Sequence, residues 1–278
     1  MVASLACIGP MRPTRADSGD ILRQLESKGA KITSTKGAFS VSIRDCSMWN
    51  DADFKSLSGI GTVTNLSVGL GFRESSLPSL TGLTDLEIFS SNGMEFTDKG
   101  VGGFAQFPKI RRLAFFHPPK NFPGVGLSRL ANLKNLESLT VAGSFSFGDE
   151  GMAALCTIKS LKHVRVWHAG NTNEGIKGLK ELPALESLTL GQRLTHQQPA
   201  CPDDETIALL LDVKKLKSLL LQEVRYNYES LVRLGKLPEL KELTLDGIDV
   251  SEADVERLKK ELPNVRVNRT KPTDVFMT

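Results

Sequence analysis

The sequence predicts an α/β solenoid in which a helix, a turn and a short strand recur along most of the chain. Two observations predict this fold. Apolar residues recur at three-residue steps and then as an alternating pair, most clearly in the run Leu179, Leu182, Leu185, Leu188 and Leu190. The same ladder restarts about every 24 residues, and a unit of that length buries its apolar face only by stacking on its neighbours.

Each element follows from this spacing. The three-residue steps place the helical residues on one stripe that faces the strands. The alternating pair buries two side chains of each strand and leaves the residue between them exposed. Such a period with an L-x-x-L-x-L core is the signature of leucine-rich repeats. About nine copies begin at Phe54, Leu77, Val101, Leu127, Met152, Ile176, Ile207, Leu231 and Val255. In the copy from Leu77 the predicted strand pair is Leu86 and Ile88, which makes that copy shorter.

The composition is consistent with an aliphatic core and a solvated surface. Residues are 40% hydrophobic but only 6% aromatic, and the net charge is +3. Cationic residues such as Lys159, Lys162 and Lys217 are spread along the predicted helices rather than concentrated in a basic stripe, so we expect no nucleic-acid partner. No apolar run approaches the ~20 residues of a membrane span.

Short polar motifs precede several of the predicted helices. They read Thr97-Asp98-Lys99-Gly100-Val101, Gly148-Asp149-Glu150-Gly151-Met152 and Asn173-Glu174-Gly175-Ile176. With them the chain resembles bacterial leucine-rich repeat proteins of the ribonuclease-inhibitor and cysteine-containing type, over about residues 38–268. The resemblance implies a right-handed, curved horseshoe with a parallel sheet on its concave face and helices on its convex face. The Asp or Asn is expected to cap the helix.

One position departs from that family. After each strand the family often places Asn, Cys or Thr, whose side chains bond along the turns. The corresponding residues here are Ser144, Ala169, Arg193, Val224 and Ile248. We therefore expect this internal ladder of hydrogen bonds to be incomplete.

The predicted organisation has four parts. Residues 1–16 form a disordered or signal-like segment, because a short apolar stretch there lacks a basic start and is interrupted by Pro10. Residues 17–46 form a cap of one helix and two strands, residues 47–268 the repeat domain, and residues 269–278 a tail. Localisation stays open between the cytoplasm and export.

The exposed positions of the strands form three rows, and these rows hold the predicted partner site. The third row begins Phe89, Phe116, Ala142, Trp167, Gly191. Aromatic residues and arginine anchor many protein interfaces. The predicted site comprises Phe89, Phe116, Arg165, Trp167, His163, Arg112 and Leu220. The small Ala142 and Gly191 beside Trp167 are expected to leave slots for a partner, and middle-row residues such as Thr189 to face solvent.

Two stretches are longer than the repeat requires. They comprise residues 117–124 and 194–205, and both follow strands. Insertions in repeat arrays map to one face and often serve binding. We expect both to project from the same edge, either as binding elements or as tolerated surface loops.

Catalytic and metal-binding constellations are weak. His117 and His168 occupy equivalent places two repeats apart, about 10 Å by strand spacing, so a shared zinc would need both rings to lean inward. His196 and Cys201 lie in a loop, and Asp203-Asp204-Glu205 is more simply a helix start. No C-x-x-C occurs, and the helical Cys156 is expected to be a buried residue. We expect no enzyme activity, no metal and no cofactor.

Three function classes remain open at this point. The first is a protein-interaction scaffold, with the monomer favoured. The second is an exported carbohydrate or cell-surface ligand-binding protein. The third is a recognition subunit similar to the leucine-rich repeat adaptors of ubiquitin ligases, although no F-box-like segment is found in this sequence.

Overall fold

A computed structural model describes residues 18–93, 95–191, 203–223, 226–248 and 250–270. Within them a single sheet of 11 strands runs in sequence order from β1 to β11. The first two strands are antiparallel, and every later pairing is parallel. Helices connect successive parallel strands, so the fold is the predicted α/β leucine-rich repeat solenoid. The description leaves out residues 1–17, 192–202 and 271–278. Most of three predicted segments therefore lies outside it: residues 1–16, the stretch 194–205 and the tail 269–278.

The element bounds follow the repeat. The strands are β1 (Ala30–Thr35), β2 (Ala38–Asp45), β3 (Thr62–Leu70), β4 (Ile88–Asn92), β5 (Arg112–Phe116), β6 (Ser138–Ser144), β7 (His163–Ala169), β8 (Ser187–Gly191), β9 (Ser218–Gln222), β10 (Glu242–Asp246) and β11 (Arg266–Thr270). The α-helices are α1 (Ser18–Ser27), α2 (Asp51–Ser56), α3 (Asp98–Val101), α4 (Asp149–Leu155), α5 (Asn173–Lys177), α6 (Asp204–Leu210), α7 (Tyr228–Leu231) and α8 (Glu252–Glu261). The 3-10 helices are Leu57–Gly59, Glu74–Leu80, Gly102–Gln106, Val125–Leu130, Gly178–Glu181 and Val232–Lys236.

The first helix and hairpin cover one end of the sheet. Gly29 ends α1 with a φ of 87°, and Lys36 and Gly37 turn the hairpin with φ of 51° and 81°, which is the left-handed conformation that such two-residue turns require. Lys28 Nζ then donates to the buried Asp53 carboxylate at 2.6 Å. Because Asp53 also accepts from the backbone of Asn50 at the start of α2, this ion pair fastens the end unit to the first repeat.

In the copy from Leu77 the predicted pair of buried strand residues, Leu86 and Ile88, is wrong: the buried strand residues are Phe89 and Ser91. Phe89 pairs with Leu113 and is fully buried, whereas Ile88 pairs with Arg112 on the open face. The copy is therefore full length, with Phe89 and Ser91 as its buried strand residues. The polar Ser91 hides the alternation in the sequence, although it is 1% exposed. Phe89 is consequently a core residue and not a member of the partner site.

The core of the first half is aromatic, contrary to the aliphatic core that the composition suggests. Nine phenylalanines are among the largest fully buried side chains: Phe54, Phe72, Phe89, Phe96, Phe104, Phe107, Phe115, Phe122 and Phe147. Four of these lie in the turns after strands, namely Phe72, Phe96, Phe122 and Phe147. These four side chains add apolar packing between the turns of successive repeats in the first half of the chain.

The remaining turn residues agree with an incomplete polar ladder. Ser144 Oγ is buried and has no hydrogen-bond partner among the described residues, and Ala169 and Ile248 are buried apolar residues. Residues 193 and 224 lie outside the description. The stretch 117–124 packs on the core through Phe122, which is fully buried and has its ring centroid 6.3 Å from that of Phe115. His117, Lys120 and Asn121 in the same stretch are exposed.

The acidic residues of the helix-start motifs bridge neighbouring repeats instead of capping their own helices. Thr97 and Thr172 are the side-chain caps of α3 and α5. Asp98 accepts from Gly126 N at 2.7 Å, one repeat further along the chain. Asp149 accepts from Thr172 N at 2.7 Å, from Thr172 Oγ1 and from Gly175 N at 3.0 Å. At these two positions the carboxylate therefore ties its own repeat to the next one.

Candidate functional site

The open face of the sheet is formed by the outward residues of the strands, in three rows that run across them. The first row contains Ile88, Arg112, Ser138, His163, Ser187, Ser218 and Glu242. The middle row contains Ser90, Ala114, Thr140, Arg165, Thr189, Leu220 and Thr244. The third row contains Asn92, Phe116, Ala142, Trp167, Gly191, Gln222 and Asp246. Ten of these 21 residues are Gly, Ala, Ser or Thr, so the long side chains stand above small neighbours.

Phe116, Arg165 and Trp167 are in contact with one another and are named here the aromatic patch. The rings of Phe116 and Trp167 meet edge to face, with centroids 5.8 Å apart and planes at 66°. The guanidinium carbon of Arg165 lies 4.7 Å from the centre of the Trp167 ring. Both aromatic residues are half-buried and Arg165 is exposed. Such edge-to-face and cation–π pairs each contribute about 0.5–1 kcal/mol at partly exposed sites, so the three side chains hold one another in place.

The small residues beside the patch do not leave open slots. Ala142 lies on β6 between Phe116 and Trp167 and is 3% exposed, because the two rings meet across it. Gly191 is buried too, and a side chain there would collide with Gln222. Thr189 is 6% exposed instead of facing solvent. Around Ala142 and Gly191 the face therefore offers a ridge of aromatic and cationic groups. A cavity on the same face lies in the first row, where Ile88, Arg112, Ser138 and His163 line it together with Glu87 and Glu137.

The other predicted site residues divide into two groups. Arg112 and His163 are exposed in the first row, on β5 and β7, with Ser138 on β6 between them. They share the three strands that hold the aromatic patch. Leu220 is half-buried in the middle row of β9, two strands beyond Trp167. The structure thus brings five of the seven predicted residues onto β5 and β7 and places Phe89 in the core.

A column of left-handed residues borders the third row. It lies two residues after the second buried position of each strand and contains Gly93, His117, Gly143, His168, Glu223 and Gly247, all with φ between 48° and 74°. Non-glycine residues in this conformation cost about 1–2 kcal/mol each. Nδ1 of His117 lies 2.9 Å from Oδ1 of Asn92, and Nε2 of His168 lies 3.0 Å from Oε2 of Glu223. The two histidines contact different partners, as expected if each is satisfied locally.

Side chains of alternating charge line the start of the strands and form a charge ladder, which the apolar repeat pattern does not predict. In β4 to β9 a charged residue lies two positions before the first buried residue of the strand: Glu87, Arg111, Glu137, Lys162, Glu186 and Lys217. Glu137 accepts from Arg111 Nη2 at 2.8 Å and from Lys162 Nζ at 2.7 Å, and Lys217 pairs with Glu186 at 3.0 Å. Lys162 and Lys217 therefore belong to this ladder and not to the helices. The signal in the sequence is that a charged residue of alternating sign stands two positions before the first buried residue of each of these strands.

The two cations lower the pKa of Glu137 to about 2, chiefly through the hydrogen bond from Lys162 and then the one from Arg111. A carboxyl whose pKa is lower in the folded than in the unfolded protein stabilises the fold above its unfolded pKa of about 4.5 and loses that effect as the pH falls towards 2. We expect Glu137→Gln to lower the free energy of unfolding by about 1 kcal/mol at pH 7, as for partly exposed ion pairs.

Urea denaturation of wild type and Glu137→Gln at pH 7 and at pH 2.5 checks this expectation. The difference between the two proteins should shrink at the lower pH. Glu239→Gln, at an exposed position in the turn before β10, is the matched control and should behave like wild type at both. An equal effect of Glu137→Gln at both pH values would contradict the assignment.

The residues weighed for catalysis or metal binding are placed in part by the structure. Burial raises the pKa of the Cys46 and Cys156 thiols to about 11, so neither forms a thiolate readily at neutral pH. Among the described residues no group of three or more His, Cys, Asp or Glu side chains is arranged to hold a metal ion. Asp203 is the N-cap of α6 with a full capping box, which agrees with a helix start. His196 and Cys201 lie outside the description. No helix in the described ranges is long and apolar enough to cross a membrane.

Comparison with known proteins gives similarities of fold. No protein-family model and no curated protein matches the chain. Among solved structures, internalin C2 from Listeria monocytogenes is similar at 19% identity and a TM-score of 0.49, over 80% of this chain and 84% of that one. An internalin (inlF) from the same organism is similar at 15% and 0.46, over 84% and 72%. A chain in the Rad7 and Elc1 complex in yeast is similar at 17% and 0.46, over 86% and 78%.

Proposed function

We propose that this protein is a non-catalytic protein-interaction scaffold that binds a partner on the open face of its sheet, with the aromatic patch as the anchor. The observation that carries the proposal is the contact of Phe116, Trp167 and Arg165 on an otherwise low, polar face. Half-buried aromatic residues that are already held in place lose little conformational freedom when a partner covers them. They are also the residue types that contribute most to protein interfaces.

The scaffold beneath the patch is rigid. Strands β5, β6 and β7 pair without a register shift, and Leu113, Leu139 and Val164 below them are fully buried. A site on rigid strands keeps its geometry more closely than one on loops. The repeats are proposed to be of the ribonuclease-inhibitor type, which the helix-start motifs support.

The geometry of Trp167 favours a protein over a sugar. A carbohydrate receptor needs an open aromatic face on which a sugar ring can stack. Here Arg165 lies over the indole ring and Phe116 contacts it edge to face. These two neighbours restrict the stacking surface, whereas a protein side chain can pack around the ridge that they form.

A pull-down from native extract tests the proposal. Wild type and Phe116→Ala/Trp167→Ala are compared, with bound proteins identified by mass spectrometry and folding checked by circular dichroism. We expect the double variant to lose at least about 30-fold in affinity for the captured partner, which corresponds to about 2 kcal/mol for two anchor residues.

The control is a second cation–π pair, on the helix side. Arg257 lies 3.8 Å from the centre of the Tyr228 ring, so Tyr228→Ala removes a comparable contact away from the open face. Binding should survive that change. A partner that binds the double variant as well as wild type would contradict the proposal, and specific binding of immobilised polysaccharide through Trp167 would favour the carbohydrate alternative.

A further inference from the structure

The centre of the open face is positively charged. From β3 to β9 the three rows contain Arg112, Arg165 and His163 and no carboxylate. Acidic residues return to the rows only on β10, where Glu242 is paired with Arg266 at 2.8 Å. The excess positive charge therefore lies on the same three strands as the aromatic patch.

Three of the carboxylates bordering this region have partners of their own, whereas Glu87 forms no ion pair with a described residue. At the start of the strands, Glu137 binds Arg111 and Lys162, and Glu186 binds Lys217. At the other border Glu223 is 8% exposed and pairs with His168. Neither arginine of the face forms an ion pair with a described carboxylate, although Glu87 lines the same cavity as Arg112.

Both arginines are available to a ligand. Arg112 is exposed, and its guanidinium makes no hydrogen bond or ion pair with another described residue. Arg165 is exposed and lies over the face of Trp167, and its guanidinium forms no hydrogen bond or ion pair with a described residue, which leaves its N–H groups free to donate. A guanidinium presents a planar fork of donors that matches a carboxylate in two hydrogen bonds.

From these observations we propose that the occupant of this face is an acidic, extended segment of a protein partner. Its carboxylates bind Arg112 and Arg165, and an apolar side chain of the segment packs on Phe116 and Trp167. The inference deepens the proposed function and rests on it, because it names the chemistry of the partner.

The strand geometry fixes the spacing of the acids. Arg112 and Arg165 lie two strands apart and two residues apart along the strand direction, so their backbones are separated by about 12 Å at ordinary sheet spacings. An extended chain covers that distance in about three to four residues. The segment is therefore expected to carry Asp or Glu residues three or four positions apart.

A nucleic acid fits the same face less well. Tracking a phosphate backbone needs a stripe of basic residues, and stacking of bases needs open aromatic faces. The neighbouring strands contribute Ser187, Thr189, Ser218 and Leu220 rather than cations, and Arg165 lies over the Trp167 ring. An acidic peptide needs only two cations beside an apolar anchor.

A random 12-residue peptide library displayed on phage tests the inference, with wild-type protein as the bait. We expect enrichment of peptides with two acids at the stated spacing and an apolar or aromatic residue near them. One enriched peptide is then synthesised with Glu or Asp and with Gln or Asn. Its affinity should fall about 5- to 20-fold for each of Arg112→Gln and Arg165→Gln, and also with rising salt.

Arg129→Gln serves as the matched control, because Arg129 is exposed in the 3-10 helix Val125–Leu130, away from the sheet. It should leave peptide binding unchanged. Apolar peptides that need Phe116 and Trp167 but ignore both arginine variants would overturn the acidic partner while keeping the interaction site. Acidic peptides that ignore all four residues, or a single-stranded oligonucleotide that binds more tightly through the arginines, would overturn the inference. If no peptide of the library bound this face, the acidic partner and the aromatic patch as anchor would both be rejected.

Discussion

Replacing Phe104 by alanine is expected to lower the free energy of unfolding by about 3–5 kcal/mol, as for a large aromatic residue removed from a packed core. Phe104 is fully buried in the 3-10 helix Gly102–Gln106. Its ring contacts four others, with centroids 4.7 Å away for Phe89, 5.5 Å for Phe96, 5.6 Å for Phe115 and 6.3 Å for Phe107. The substitution therefore leaves a cavity at the centre of the aromatic core.

The effect should extend beyond one repeat. Phe89 lies on β4 and Phe115 on β5, while Phe96 lies in the turn between them. In a repeat protein the stability of each unit depends on its interfaces with its neighbours. Loss of Phe104 weakens its own repeat, through Phe107 and Phe115, and the interface with the preceding repeat, through Phe89 and Phe96, so we expect a broader as well as an earlier unfolding transition.

Urea and thermal denaturation followed by circular dichroism measure the change. Phe145→Ala is the matched control, because Phe145 has the same chemistry but is 52% exposed. It should cost less than about 0.5 kcal/mol, the usual range for surface substitutions. Similar losses at the two positions would contradict the aromatic core.

Gly126→Ala is the second change with a large expected effect, about 2–4 kcal/mol, because overpacking at a backbone contact forces the backbone to shift. A methyl group on Gly126 would lie 1.9 Å from the carbonyl oxygen of Asp98 and 2.6 Å from its carbonyl carbon. These are backbone atoms of the previous repeat and cannot rotate away. The shift would also lengthen the 2.7 Å hydrogen bond from Gly126 N to the Asp98 carboxylate.

The control for this change is Gly148→Ala. The nearest atom to a methyl group at Gly148 would be the carbonyl oxygen of Gly170, at 3.7 Å, which is an ordinary contact. Gly148 precedes α4 as its N-cap without a side-chain bond, so alanine there should cost less than about 1 kcal/mol. The midpoints of urea denaturation distinguish the two variants, and equal midpoints would contradict the close approach of the repeats at Gly126.

The repeat spacing predicts the fold because a solenoid is built from local patterns. Each strand pairs with the next strand along the chain, so the order of the sheet follows from the order of the sequence. The same spacing places Phe116 and Trp167 in one row, two strands apart. The small Ala142 between them allows the two rings to meet, so it leaves no slot of the kind predicted from the sequence.

The errors have physical causes that are equally specific. At β4 a buried serine interrupts the apolar alternation, and Phe89 is placed on the wrong side of the sheet. The acidic residues before the helices have two possible sets of donors, those of their own helix and those of the next repeat. The distance between repeats decides in favour of the second set for Asp98 and Asp149.

By itself, the sequence determines the solenoid, the strand order and the face on which the long side chains stand, because these depend on spacings within a single repeat. Only the tertiary structure decides which of those side chains are available. Contacts between repeats bury Phe89 and Thr189 and bring Phe116, Trp167 and Arg165 together. They also pair Glu137 with Arg111 and Lys162, and Glu186 with Lys217. Arg112 forms no ion pair with a described residue. Only the structure shows this, because side chains about 25 residues apart in the chain become adjacent only when the repeats stack.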